Sequence, residues 1–127
     1  MRPTQFIEVD DLKERCSGKT RTMIRVLDSF LGTSAPLRDK LQSAEVASNL
    51  ELMGKTLHSI KGLLREIAAK EAAGALEEFE AKLREQHELS AEDLSSVQSW
   101  MDSAAEAAEA TKERLKQEPS AVGLPKV

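Results

Sequence analysis

Apolar residues along this chain recur at steps of three and four, the spacing that places them on one side of a helix. Ile24, Leu27, Leu31, Leu37, Leu41 and Ala44 form one such stripe. Ala72, Leu76, Phe79 and Leu83 form another, and Leu94, Val97, Met101, Ala104, Ala108, Thr111 and Leu115 a third. The pattern predicts five helices: a short one over 10–16, then four longer ones over 20–47, 48–68, 70–86 and from 90 onward. Asp10 or Asp11 is suited to cap the first, and Ser17-Gly18 to end it. Gly32 and Pro36 interrupt the second, and because the stripe resumes in nearly the same phase, a kink is expected there rather than a break. Ser90-Ala91-Glu92-Asp93 resembles a capping box at the start of the fifth. Its stripe thins to alanine, so its far end is expected to bury little, and the Ala/Glu-rich stretch 104–113 reads as a solvated face.

One short helix and four longer amphipathic ones joined by short turns predict an all-α fold, an antiparallel four-helix bundle with a short additional N-terminal helix. Residues 1–118 form one expected domain, and 119–127 an expected disordered tail. The apolar set agrees, since it is rich in Leu and Ala and holds only three Phe, one Trp and no Tyr. The net charge of −4 is spread over interleaved signs with no basic block, which argues against a nucleic-acid ligand. No apolar run approaches the roughly 20 residues that span a bilayer. The single cysteine, Cys16, excludes an intrachain disulfide and suits a reducing compartment, so a cytoplasmic protein is expected.

The helix over 48–68 holds the candidate chemistry. With His58 at zero and about 100° per residue, Leu50, Met53, Leu57, Ile60, Leu64 and Ile67 all fall between about 180° and 280°. That stripe must face the core, so His58 points to water. Gly54 and Gly62 lie one turn to either side of it, and Lys55, Lys61 and Arg65 flank it. Two mid-helix glycines cost about 1 kcal/mol each relative to alanine. On an outer face their expected use is to leave the imidazole uncovered for a second protein. A neutral imidazole is a nucleophile, and Lys61 lies where it can meet the charge of a phosphorylated ring. Taken singly, each feature has an ordinary reading, because most surface histidines are inert. The combination is what points to a site. His87, at the end of the next helix, reads as a solvated terminal residue. Two histidines and one cysteine far apart make no zinc site, and no metal ligand set or nucleotide-binding loop is found.

His58-Ser59-Ile60-Lys61-Gly62 resembles the H-x-x-K-G signature of histidine-phosphotransfer (HPt) domains, and the likeness extends over roughly residues 9 to 86. Leu57 stands where the family often has alanine, and Leu63 where it often has serine. The resemblance implies that His58 accepts a phosphoryl group, that Lys61 assists it and that Gly62 gives a partner access. Gly54, Lys55, Leu63 and Arg65 would then border the docking surface. The implied partners are response-regulator receiver domains, including those of hybrid sensor histidine kinases. They would supply the magnesium, so the chain itself needs no cofactor and no ATP. A monomer is expected. Two other readings remain open: a helical adaptor that binds such a partner without being phosphorylated, and the dimerising hairpin of a sensor kinase. The hairpin is disfavoured because Ser59 replaces the usual acidic residue after the histidine and no proline follows nearby.

Overall fold

A computed structural model describes residues 6–117. Among them there are five helices and no strand: α1 (Val9–Arg15), α2 (Thr20–Val46), α3 (Leu50–Glu66), α4 (Lys70–Gln86) and α5 (Ala91–Gln117). The expected tail at 119–127 lies outside the described residues. The most extensive packing is between α3 and α4, between α2 and α3, and between α2 and α5, while α1 meets α2 and α4 meets α5 more lightly. One hydrophobic cluster joins all five, with Phe30, Leu41, Leu57, Leu64, Leu76 and Met101 fully buried.

Helix α1 begins one residue earlier than the sequence suggests. Neither Asp10 nor Asp11 caps it; both stand in its first turn, after Glu8 at the cap position. There they suit the positive end of the helix dipole. Asp11 pairs with Arg15 one turn on (2.9 Å) and with Lys70 of α4 (3.6 Å). The Glu8 backbone N–H donates to the Ala68 carbonyl (3.0 Å), fixing the start of α1 to the turn between α3 and α4.

Helix α2 runs unbroken past Pro36. Proline removes its own N–H and crowds the carbonyl four residues back, which here belongs to Gly32. Both residues are exposed, so water can reach the freed carbonyl. The buried side of α2 is set slightly differently from the expected stripe. Met23 and Phe30 are in the core, and Ile24 and Leu31 are half-buried at its edge.

Helix α5 corrects a second expectation. Its later turns are buried through Ala104, Ala107, Ala108, Thr111 and Leu115, so the Ala-rich stretch is in part a packing surface and not simply a solvated face. Alanine there permits close approach of neighbouring backbone. The expected capping box is present: the Asp93 N–H donates to Ser90 Oγ (3.0 Å), and the Ser90 N–H donates to Asp93 Oδ2 (3.3 Å). Asp93 also receives Lys82 of α4 at 2.7 Å. Phe79 of α4 and Trp100 of α5 stack with ring centroids 5.8 Å apart, filling the seam between those helices.

Candidate functional site

Helix α3 starts after Asn49, whose side chain accepts the Leu52 N–H (3.1 Å) and caps the helix. Met53, Leu57, Ile60, Leu64 and Ile67 lie in the core as the stripe requires. Leu50, the first member of that stripe, instead remains 41% exposed, because the helix begins there with little packed over its first turn. Thr56 joins the buried side and satisfies its hydroxyl by donating to the Leu52 carbonyl (2.7 Å). With five apolar anchors on one side, the opposite side of α3 is fixed in direction, and His58 stands on it with a side chain 72% exposed.

The ring of His58 is not free, however. Glu80 of α4 reaches across so that its Oε2 lies 3.2 Å from His58 Nδ1. The other carboxylate oxygen, Oε1, lies 2.7 Å from Lys61 Nζ. Lys61 and Glu80 are both well covered, at 12% and 15% side-chain exposure. Glu80 Oε1 lacks a well-aligned hydrogen bond despite that short distance, so its contact with Lys61 is best described as an ion pair. Burial pushes the Glu80 carboxyl up, but the contacts from Lys61 and then His58 outweigh it and hold the group below the usual carboxylate range. Glu80 is therefore ionised at neutral pH. An ionised carboxylate only accepts hydrogen bonds, so the hydrogen between it and the ring belongs to Nδ1. In the neutral imidazole this leaves the lone pair on Nε2.

Glu80 was the residue that sequence reasoning did not place in the site. The available signal was a carboxylate next to Phe79 and between Leu76 and Leu83, at the edge of an otherwise apolar stripe. The other expected site residues divide as follows. Gly62 is exposed, and a Cβ built on it would meet nothing within 4 Å, as expected of a residue that leaves the ring uncovered. Gly54 is half-buried rather than open, and a Cβ there would sit 3.6 Å from Leu83 Cδ2, an ordinary contact distance, on the side of α3 that meets α4. Leu63 is half-buried against the core. Arg65 is exposed and pairs with Glu77 of α4 at 3.0 Å, while its backbone carbonyl accepts from Arg15. Lys55 is exposed beside a groove of about 420 Å³ between α3 and α4, which Leu50, Gly54, Glu80, Leu83 and Arg84 also line. Lys61 is thus committed to Glu80 in this state, rather than standing open beside His58.

His87 is the C-cap of α4, in the left-handed conformation (φ 58°), with its N–H donating to the Leu83 carbonyl at 2.8 Å. Cys16 is buried, and burial pushes its thiol up, which fits packing and not nucleophilic work. Among the described residues no group of three or more His, Cys, Asp or Glu could hold a metal ion, and no helix is long and apolar enough to cross a membrane. The chain matches no protein-family model, and neither curated proteins nor solved structures give a match.

Proposed function

We propose that the chain is a phosphotransfer protein of the HPt kind, in which His58 Nε2 accepts a phosphoryl group from the aspartyl phosphate of a receiver domain and later passes it to another. The observation that carries this reading is the pairing of an exposed ring with an ionised carboxylate on its Nδ1 side, which leaves Nε2 as the nucleophile and points it to solvent. The Nε2 lone pair forms the N–P bond in line as the P–O bond to the aspartate breaks and its electron pair leaves with the carboxylate. Gly62 leaves room for the receiver's active-site loops to approach. The magnesium for this step belongs to the receiver.

The four long helices would then form the antiparallel bundle, with α1 as its short addition, working as a cytoplasmic monomer that relays phosphate without using ATP. Lys61 would hold Glu80 throughout and, with its remaining N–H donors, meet the phosphoryl oxygens once they arrive. Lys55, Arg65 and Leu63, with Gly54 beneath them, would border the docked receiver.

Transfer from a phosphorylated receiver domain tests this, with wild type compared against His58→Gln. Label on the wild type alone, labile in acid and stable in alkali as a phosphoramidate is, is the expected result. Receivers that bind the protein and never label it would leave the adaptor reading in its place.

A further inference from the structure

We propose that Glu80 retains the Nδ1 hydrogen of His58 after the phosphoryl group has joined Nε2, and that this keeps the group transferable. The inference rests on the phosphotransfer reading and adds to it a residue that sets how readily the group leaves. When Nε2 attacks an acyl phosphate, no proton has to move. The product ring carries phosphorus on Nε2 and hydrogen on Nδ1, and so is cationic. In the return step the P–N bond breaks and its electron pair goes back to Nε2. With the hydrogen still on Nδ1, the ring leaves as neutral imidazole. Without it the ring would have to leave as an imidazolate anion, a far poorer leaving group, and the phosphoryl group would be stranded.

Glu80 is built to hold that hydrogen. Oε2 is 3.2 Å from Nδ1, and although the ring is 72% exposed the carboxylate is only 15% exposed, so water screens the pair from the ring's side and little from the other. Lys61 on the other oxygen keeps the carboxylate ionised and leaves Oε2 to the ring. The groove that Glu80 lines also holds the charged or titratable groups Glu51 and Lys55 of α3, Arg84 of α4 and His87 at its end, and Arg65 and Glu77 lie a turn further along the two helices. Arg65 and Glu77 neutralise one another at 3.0 Å. Among the described residues, no charged side chain of α2, the other helix packed on α3, forms an ion pair with the ring. Among the described residues, Glu80 alone is within hydrogen-bond distance of it. His87 supplies an internal reference, since among the described residues its ring has no hydrogen bond or ion pair to a carboxylate. It is exposed on the same molecule.

The test uses the full chain phosphorylated with potassium phosphoramidate, a small donor that needs no docking surface. The two phosphohistidines are followed separately by phosphorus and nitrogen NMR, and loss of phosphate is measured from roughly pH 5 to pH 9, spanning the range of histidine titration. Phospho-His58 is expected to stay labile to higher pH than phospho-His87 in the wild type. Glu80→Gln should move the His58 profile onto that of His87, slowing loss by about tenfold near neutral to mildly alkaline pH, as expected on losing one charge-assisted hydrogen bond. At the acid end, where both rings are protonated, the variant and wild type should agree. Coincident His58 and His87 profiles in the wild type, or a His58 profile unmoved by Glu80→Gln, would overturn the role of Glu80 and leave the receiver assay to decide the relay itself. Failure of phosphoramidate to label His58 while labelling His87 would overturn both.

Discussion

At the scale of single residues, Gly62 separates what the helix needs from what the site needs. Its position offers open space to a Cβ, so Gly62→Ala should stabilise the fold by about 0.5–1 kcal/mol by restoring ordinary helix propensity. A urea titration of the two proteins measures this. Gly62→Leu should keep the fold yet slow transfer from a receiver domain by tenfold or more, while labelling by phosphoramidate changes little, because only the larger donor must pass the new side chain. Equal slowing with both donors would place the effect on the ring and not on access. His58 and Gly62 were legible in sequence because both follow from helix phase: five apolar anchors fix which way the remaining side of α3 points. Glu80 was not legible in that way. It lies 22 residues from His58 and meets the ring only because α4 packs on α3 in one register, and no spacing along the chain encodes that register. The nearness of Gly54 to Leu83 was not legible for the same reason, since it too depends on how α4 packs on α3.

At the scale of elements, the number and type of helices were legible from three- and four-residue spacing, and their ends were less so. Asn49 shows why. The polar run Ser48-Asn49 offers two residues able to cap, and the choice falls on Asn49 because Ser48 takes the left-handed conformation (φ 51°) that closes α2. Asn49→Ala should therefore cost about 1 kcal/mol and lower the thermal midpoint by a few degrees, read by calorimetry or circular dichroism. Ser48→Ala, by contrast, removes no cap contact. The persistence of α2 through Pro36 has a similar local cause: the damage to the backbone ladder falls on an exposed side, so the buried side continues through Phe30, Ser34 and Leu37 without a break. The alanines of α5 misled in the opposite direction. Short side chains register weakly as a hydrophobic stripe, yet Ala104, Ala107 and Ala108 are all fully buried.

For the molecule as a whole, acidity is the condition that reaches the most contacts at once. Glu80 and Asp93 both sit below their ordinary carboxylate range. Lys82 is the main cause for Asp93, while for Glu80 burial works against the shift and Lys61 and His58 overcome it. A carboxyl lowered in the folded state contributes stability that is fully present above its unfolded pKa and is lost as pH falls through the folded one. Stability should therefore hold from neutral pH down to roughly pH 5 and decline below roughly pH 4.5. Chemical denaturation at a series of pH values should show this decline, and Glu80→Gln with Asp93→Asn should flatten it. The two carboxylates tie α4 to its neighbours on either side, Glu80 to α3 and Asp93 to α5, so the hold on that helix should loosen first in acid.

The turn between α3 and α4 has a consequence for how the protein comes into being. His58, Lys61 and Glu80 lie on two helices joined by just Ile67, Ala68 and Ala69, so their meeting closes only a short loop and pays little chain entropy. The pairing of α2 with α5, by contrast, spans most of the chain. During synthesis the chemical groups can meet while α5 is still being made, and the last helix arrives to shut the core around a site already assembled.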